Sequence, residues 1–395
     1  MRYVFGFLGA SALSLALMAG CSNETGFPCT EQGIRDAIAE GGGPHTFDCD
    51  GAQTVVTEFE IVIDNDVLLD GEGNLTVDGN ERHRVFWIRK GVVAELRGFL
   101  VTGGTSGFQE DAGGINNNGT LTLINSTVSG NSADYGDLAR GGGVTNYEGT
   151  LTLINSTVSG NTATSGGGIY NYGGTLTLTS STVSGTPATG DLDYGGGIWH
   201  GGGDLTLINS SVSGYSAFYG GGIHSSGTPT LINSTVSGNT ATSGGAINYS
   251  GPGTLMLISS TVSGNSAAEG GSIRNLRGTV TLTNTLVDDD CQVSERPSIV
   301  SHGYNIESPG DTCGFDQAGD QSGVTAEQLN LGPLQDNGGP TMTHALDEGS
   351  VAIDEIPEAD CVDADGEPLT TDQRGEPRPE TGGTMCDVGA FEVQP

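Results

Sequence analysis

The chain contains very few basic residues. Thirteen Lys and Arg stand against 48 Asp and Glu, which gives a formal net charge of −35, and Lys90 is the only lysine among the 395 residues. A surface with this charge repels phosphate groups, so nucleic acid and anionic membrane surfaces are excluded as partners. The excess of carboxylates is compatible with simple solubility, as in a salty habitat, or with binding of divalent cations at the surface.

Long apolar runs are missing after the N-terminus. The first residues comprise one basic side chain, a short apolar stretch and small residues before Cys21, the pattern of a secretory signal. The segment resembles a bacterial lipobox, although Met18 stands where such motifs usually carry Leu. We therefore expect residues 1–20 to be a lipoprotein signal peptide, Cys21 to carry the lipid and residues 21–28 to form a tether. An ordinary signal peptide is the alternative, and Ser22 favours the outer membrane.

Cysteine is scarce and lies outside the repeated part of the chain. Removing Cys21 from the seven cysteines leaves six, an even number that is typical of disulfides in an exported protein. No C-x-x-C pair or histidine cluster accompanies them, so a metal site is the weaker interpretation. Six cysteines allow fifteen pairings. Order and locality favour the pairs Cys29–Cys49, Cys291–Cys313 and Cys361–Cys386.

Glycine is abundant, with 68 residues, and so is one repeated phrase. G-T-L-T-L-I-N-S-T-V-S-G-N opens at Gly119 and recurs from Gly149, and looser copies follow. A second phrase, G-G-G-I or a variant, precedes most copies, and its last residues are 24 to 29 positions apart: Ile115, Val144, Ile169, Ile198, Ile223, Ile247 and Ile273. Periods of this length are typical of a solenoid.

The repeats predict strands rather than helices. In L-T-L-I apolar and polar residues alternate, Thr and Val favour a pleated strand, and glycine runs mark turns. No repeat contains a ten-residue helical pattern, which excludes leucine-rich and ankyrin repeats. The sequence therefore predicts an all-β, right-handed parallel β-helix. About ten coils spaced by roughly 4.8 Å give a rod of about 50 Å.

Equivalent residues of successive coils should stack into rows inside the solenoid. One expected row is of leucine: Leu121, Leu151, Leu176, Leu205 and Leu255. A second is of asparagine, interrupted by two serines: Asn125, Asn155, Ser180, Asn209, Asn233 and Ser259. A third is Asn131, Asn161, Asn239 and Asn265. Buried amides can satisfy one another in such a row, because each both donates and accepts.

Both ends of the rod should be capped, because open strand edges aggregate. Thr30 can cap a helix whose apolar face is Ile34, Ala37 and Ile38. We expect an N-terminal cap and first coils over residues 29–100, the repeat β-helix over residues 101–287, and a disulfide-stapled C-terminal cap over residues 288–395.

The C-terminal segment carries five distinctive phrases. They are S-H-G-Y-N from Ser301, L-G-P-L-Q-D-N-G-G-P-T from Leu331, A-I-D from Ala352, D-Q-R-G from Asp372 and C-D-V-G-A-F-E from Cys386. The segment resembles the choice-of-anchor Q family of bacterial surface proteins, in which a pectin-lyase-like β-helix precedes this cap. The repeats also resemble the polymorphic outer-membrane-protein repeat. These resemblances imply a fold and a surface location, and no settled activity.

The sequence contains only weak candidates for catalysis. A glycoside hydrolase needs two carboxylates roughly 5 to 9.5 Å apart, and a lyase that acts on uronic acids usually needs a basic side chain. The best candidates lie in two long turns and next to them: Asp134, Asp137, Arg140, Asp191 and Asp193. Those turns lie two coils apart, about 10 Å along the axis, at or beyond the limit for an acid–base pair. Two solvated loops are the simpler interpretation.

Metal and carbohydrate sites are further possibilities. Asp288, Asp289 and Asp290 are candidate ligands for Ca²⁺, although no cofactor is required. The residue after each G-G-G-I should face outward, which places Tyr170, Trp199 and His224 next to one another. Aromatic faces beside polar groups suit sugar rings, but such a strip can also simply stiffen exposed strands.

The sequence therefore favours an exported, lipid-anchored β-helix at the outer membrane or cell surface. Its expected role is adhesive, structural or carbohydrate-binding, with an extracellular polysaccharide or another surface component as partner. Membrane contact would be through the N-terminal lipid only. The alternative is an extracellular polysaccharide lyase or glycoside hydrolase of the pectin-lyase-like fold. The sequence does not set the oligomeric state.

Overall fold

A computed structural model describes residues 26–107, 111–133, 139–185, 194–269, 271–293 and 298–395. Cys21 and the signal segment, residues 1–20, lie outside the described residues. The described chain is an all-β parallel solenoid, as the repeat predicts. Strands of each coil pair in parallel with the same strands of the next coil, so that identical repeat positions are in register.

Sheet 1 is the stack formed by the strands that follow the glycine runs. Its ten strands give nine coil-to-coil steps between the first and the last. They are Ile61–Ile63, Phe86–Ile88, Ile115–Asn117, Val144–Tyr147, Ile169–Tyr172, Ile198–His200, Ile223–Ser225, Ile247–Tyr249, Ile273–Asn275 and Cys291–Val293.

Sheet 2 is formed by the L-T-L-I and T-V-S strands and their equivalents near the two ends, 21 strands among the described residues. They are Phe27–Pro28, Gly42–Asp48, Gln53–Val56, Val67–Asp78, Val93–Thr102, Thr120–Ile124, Thr127–Ser129, Thr150–Ile154, Thr157–Ser159, Thr175–Thr179, Thr182–Ser184, Asp204–Ile208, Ser211–Ser213, Thr228–Ile232, Thr235–Ser237, Thr254–Ile258, Thr261–Ser263, Thr279–Thr283, Leu286–Asp288, Ser298–Ser301 and Ile306–Glu307.

A small sheet 3 and a few short elements complete the fold. Sheet 3 consists of the parallel strands Ser216–Tyr219, Thr240–Ser243 and Ser266–Glu269. Two antiparallel pairs lie in the C-terminal segment: Leu331–Gln335 with Thr343–Leu346, and Ile356–Pro357 with Met385–Cys386. Within the described ranges the helices are Glu31–Glu40 and Ala326–Leu329, and Glu358–Asp360 forms a 3-10 turn.

Two of the expected interior rows are confirmed. Leu121, Leu151, Leu176 and Leu205 pair in register and are fully buried; Pro229 takes the place of leucine in the following coil, before Leu255. In the third row Asn131 Nδ2 donates to Asn161 Oδ1 at 3.0 Å, and Asn239 donates to Asn265 at the same distance. Tyr215 is buried between these two pairs, and its backbone N–H donates to Asn239 Oδ1 at 3.0 Å.

The expected second asparagine row is wrong as an interior row. Asn125, Asn155 and their equivalents have φ between 44° and 53°, and both these asparagines are exposed. They form the corner between the two strand types, where the chain needs a left-handed conformation that Asn adopts more readily than most residues. The buried row is one residue later. Ser126, for example, donates its hydroxyl to the Ile124 carbonyl at 2.9 Å and its N–H to Ser156 Oγ at 3.1 Å.

Both expected end structures are present. Thr30 Oγ1 accepts from the N–H of Gly33 at 3.1 Å, and the helix Glu31–Glu40 buries Ile34, Ala37 and Ile38 against the first coil. All three expected disulfides form: Cys29–Cys49, Cys291–Cys313 and Cys361–Cys386. In the described residues, no helix is long and apolar enough to cross a membrane.

The C-terminal segment does more than close the end of the rod. Cys313 and Phe315 belong to the solenoid core, whereas later residues form a second apolar cluster that includes Leu329, Ile356 and Phe391. This later part, residues 320–395, folds back along the outer side of sheet 2. Thr235 Oγ1 donates to Gln373 Oε1 at 2.6 Å, so the segment is joined to the solenoid by polar contacts.

Candidate functional site

Aromatic rings accumulate on the outer side of sheet 1. In the strand Ile169–Tyr172, Ile169 and Asn171 are fully buried in the solenoid, so the alternation directs Tyr170 to the outside. The register then aligns Tyr170 with Trp199, and Trp199 with His224. The Tyr170 and Trp199 rings are 4.2 Å apart and 5° from parallel, and the Trp199 and His224 rings are 6.4 Å apart. The row that the sequence predicts is therefore continuous.

Further tyrosines extend this row on both sides. Tyr172 stacks 6.2 Å from Trp199 and 5.1 Å from Tyr147. On the other side Tyr194 lies 5.3 Å from His224 and 5.0 Å from Tyr219. We call the whole set the aromatic surface: Tyr147, Tyr170, Tyr172, Tyr194, Trp199, Phe218, Tyr219 and His224. Its eight rings form one connected network.

The exposed part of the aromatic surface is formed by residues that the sequence did not single out. Tyr147, Tyr172 and Tyr194 are 39%, 41% and 38% exposed. Tyr170 and His224 are only 5% and 9% exposed, because the neighbouring rings cover them. Trp199 is partly exposed. The sequence contains a pattern that places Tyr147 and Tyr172 on the outer side of sheet 1. Both follow the last residue of the G-G-G-I phrase or its variant by three positions, which is the same outward side of the strand.

A glycine allows Trp199 to lie flat. An ideal Cβ at Gly201 would be 1.9 Å from Cη2 of the Trp199 ring, well inside any real contact. The indole therefore lies over the backbone of its own strand end. Any larger residue at position 201 would displace the ring from Tyr170.

The aromatic surface carries little charge. Arg140 lies 5.4 Å from the Tyr170 ring centre and 3.9 Å from a carboxylate oxygen of Asp111. Burial raises the pKa of Tyr170 to about 12 and lowers the pKa of His224 to about 4, so both are neutral near pH 7. Burial also raises the pKa of Asp111, although Arg140 opposes this shift. Neutral rings beside the ion pair of Arg140 and Asp111 suit a polar organic ligand better than a metal ion.

The structure locates only one of the catalytic candidates. Arg140 contacts Tyr170 and Asp111, as described above, whereas Asp134, Asp137, Asp191 and Asp193 lie outside the described residues. An acid–base pair formed by those aspartates stays a prediction.

The three aspartates considered for Ca²⁺ line a cavity of about 490 Å³ near the last coils. Asp289 accepts from the Asn265 side chain at 3.1 Å and so ends the buried asparagine row, and burial raises its pKa to about 7. Asp288 accepts from Ser263 Oγ at 3.0 Å. Over the described ranges, no group of three or more His, Cys, Asp or Glu residues is arranged to hold a metal ion. The calcium site stays a prediction.

Comparison with known proteins identifies the fold and leaves the family open. No family model matches the sequence, and no curated protein matches it. Among solved structures, the chain is similar to the crystal structure of pectate lyase Pel9A, with a TM-score of 0.56 and 12% identity over 90% of each chain. The chain thus has a pectate lyase-like β-helix fold. At this identity the likeness shows nothing about activity.

The distinctive C-terminal phrases have structural contacts. In D-Q-R-G, Arg374 pairs with Asp372 at 2.8 Å and its guanidinium lies 3.6 Å from the Phe391 ring centre. Gln373 donates to Thr341 Oγ1 at 2.8 Å and accepts from Thr235 of the solenoid. Gln373 therefore attaches the C-terminal segment to sheet 2, whereas the contacts of Arg374 lie within the segment. The choice-of-anchor Q resemblance itself stays a prediction.

Proposed function

We propose that the protein binds carbohydrate through the aromatic surface of sheet 1. The observation that carries this proposal is the connected set of eight rings in register, of which Tyr147, Tyr172 and Tyr194 are each about two-fifths exposed. Tyrosine and tryptophan combine an apolar body with a polar tip, which matches the C–H faces and hydroxyl groups of sugars. Contiguous exposed apolar surface of this kind typically marks an interaction site.

The competing interpretation is that the rings only stiffen the sheet. Stacked aromatic pairs stabilise proteins by about 0.5–1.5 kcal/mol beyond area burial. The Tyr170–Trp199 stack contributes in this way whether or not a ligand binds. A test must therefore separate binding from stability.

The test is a glycan-binding screen with residues 21–395 carrying Cys21→Ser, followed by calorimetry on each hit. Trp199→Ala should weaken binding by at least about tenfold, roughly 1.4 kcal/mol, while the melting temperature falls by only about 2–4 °C. Phe59→Ala is the matched control, because Phe59 is 72% exposed and lies outside the aromatic surface. A variant that lowers the melting temperature and leaves binding intact would contradict the proposal, as would a wild-type protein that binds no glycan.

We also propose that the protein is displayed at the cell surface by a lipid on Cys21, with an adhesive or structural role there. Support comes from the lipobox-like segment and from the three disulfides, which are typical of an oxidising compartment. Metabolic labelling with a clickable fatty acid tests this. The label should appear in the membrane fraction and be lost in Cys21→Ser; equal labelling of both proteins would contradict it.

The second candidate function is polysaccharide cleavage. It is favoured by the fold shared with pectate lyase Pel9A, and only weakly at 12% identity. The same panel, incubated with Ca²⁺, should then yield new reducing ends that are lost in Arg140→Ala. No new ends from any polysaccharide would leave binding without cleavage as the function.

A further inference from the structure

A second cavity lies at one end of the aromatic surface. It has a volume of about 340 Å³, and we call it the slot. Its lining residues are Trp87, Arg89, Lys90, Asn118, Tyr147 and Glu148. Trp87 aligns with Asn116, and Asn116 with Thr145, so the coils that carry Trp87 and Tyr147 are two steps apart. Two steps correspond to about 10 Å along the axis.

The slot exists because an asparagine interrupts the line of large side chains. Asn118 belongs to the coil between Trp87 and Tyr147, and its Oδ1 accepts from Trp87 Nε1 at 2.8 Å. Tyr172 covers one face of Tyr147, at 5.1 Å. Trp87, Arg89, Lys90 and Asn118 come from the two coils on the opposite side of Tyr147. The other face of this tyrosine is therefore turned towards the slot.

The dimensions of the slot suit one six-membered ring. Aromatic stacking places ring centres about 4.5–7 Å apart. A single ring stacked on Tyr147 therefore fills most of a two-coil gap of about 10 Å. On the far side, the Arg89 guanidinium lies 3.4 Å from the Trp87 ring centre, which holds this cation at the wall.

The slot is also a concentration of positive charge in a strongly acidic protein. Arg89 and Lys90 are neighbours in a chain with 13 basic residues, and Lys90 is its only lysine. Lys90 Nζ is 3.7 Å from Glu148, with side chains 84% and 56% exposed, so this ion pair is weak and opens readily. Among the described residues Arg89 forms no ion pair. Arg89 is thus held by stacking on Trp87, whereas Lys90 is easily released from Glu148.

We propose that the slot binds one anionic sugar ring of the glycan that the aromatic surface recognises, an inference that rests on the proposed function. The C–H face of the ring stacks on Tyr147. The anionic group is bound by Arg89 and Lys90, with charge-assisted hydrogen bonds. The Asn118 amide and the Glu148 carboxylate bind ring hydroxyls. A carboxylate and a sulfate share this chemistry.

The tryptophan content makes the slot directly observable. The chain has two tryptophans, Trp87 in the slot and Trp199 in the aromatic surface. In Trp199→Phe, all tryptophan fluorescence comes from Trp87. We expect methyl glucuronide and methyl glucoside 6-sulfate to change this fluorescence saturably, and neutral methyl glucoside to bind at least about tenfold more weakly, because it lacks the charge-assisted bonds. The relative affinities of the two anions show whether carboxylate or sulfate is preferred.

Charge variants supply the control. Lys90→Gln and Arg89→Gln should each weaken binding of the anionic sugars by about tenfold. Arg277→Gln removes an equal charge from an exposed site elsewhere and should have no effect. Calorimetry on the same three variants with Trp199 intact gives the answer without fluorescence, in case Trp199→Phe does not fold.

The outcomes distinguish the two proposals. Equal affinity for anionic and neutral sugars, or no effect of Lys90→Gln and Arg89→Gln, overturns the slot even if glycans still bind in a Trp199-dependent way. Absence of any glycan binding by the wild-type protein overturns the proposed function, and the slot with it. Anionic preference that depends on Arg89 and Lys90, and not on Arg277, supports the slot.

Discussion

His200 occupies an interior row in which its nearest neighbours are polar and neutral. The residues before it in the row are Asn117, Asn146 and Asn171, and each asparagine donates to the next at 2.6–2.7 Å. His200 Nδ1 is 2.9 Å from Ser225 Oγ, and within the described chain its Nε2 has no hydrogen-bond partner. Burial lowers the pKa of His200 to about 4. The ring is therefore neutral in the folded protein over most of the accessible pH range.

This depressed pKa makes stability depend on pH. In the unfolded chain the histidine titrates near 6.5, so below that pH the unfolded state binds the extra proton and the folded state does not. The contribution of His200 to the free energy of unfolding is therefore fully present above pH 6.5. It is lost progressively as pH falls towards about 4, because only the unfolded chain takes up the proton in this range. His200→Asn restores the asparagine row. Between pH 7.5 and pH 5, we expect the free energy of unfolding of the variant to fall by about 2 kcal/mol less than that of the wild type.

Chemical denaturation of both proteins at the two pH values measures this difference. His224 is affected in the same direction, since burial also lowers its pKa to about 4, so the variant should retain part of the acid sensitivity. Parallel loss of stability in wild type and variant would show that His200 does not contribute to it.

Each coil turns at a corner where one residue is left-handed. Asn155 has φ 48°, and Ser180, Asn209 and Asn233 have φ between 46° and 53° in the following coils. A residue with Cβ but no short polar group is strained by roughly 1–2 kcal/mol there, whereas glycine is not. Asn155→Ala should therefore destabilise the protein by about 1 kcal/mol, and Asn155→Gly by less than half of that.

Thermal melts of the two variants give the comparison, because Asn155 is exposed and has few contacts to lose. The same two substitutions at Asn74, which is also exposed and is not among the left-handed residues, provide the reference. If alanine and glycine were equivalent at position 155, the corner conformation would not be the reason for asparagine there.

These corners show how far the sequence predicts the fold. The period of 24 to 29 residues and the alternation in L-T-L-I predict the coils, the leucine row and the row of Asn131. The alternation of inward and outward side chains stops at a bend in the backbone. A prediction that continued the alternation through the corner therefore placed Asn125 wrongly in the interior. The aromatic row was placed on the correct side of sheet 1, but which rings are exposed depends on their neighbours in other coils. The spacing alone places Tyr172 on the outward side, but its exposure and the slot at Asn118 required the stacked structure.

The described part of the chain has two apolar cores, one inside the solenoid and one between sheet 2 and the segment folded along it, to which Leu286 and Ile306 of sheet 2 contribute. Solenoid coils are stabilised mainly by their immediate neighbours, so parts of such a protein can unfold separately. Arg378 links the two cores. It is 3% exposed, pairs with Glu392 at 2.9 Å, and donates to Asn233 Oδ1 of the solenoid at 3.1 Å.

Replacing Arg378 should therefore release the C-terminal segment without unfolding the rod. Arg378→Met leaves the buried Glu392 without its partner, a loss of roughly 3–5 kcal/mol for such a pair. We expect limited proteolysis to cut within residues 320–395 first, while fluorescence is retained, because Trp87 and Trp199 both belong to the solenoid. Adding Glu392→Gln removes the unpaired charge and should recover part of the protection. If fluorescence and resistance to proteolysis were instead lost together in a single transition, the segment and the solenoid would be one cooperative unit. The stability of sheet 2 would then depend on the C-terminal segment.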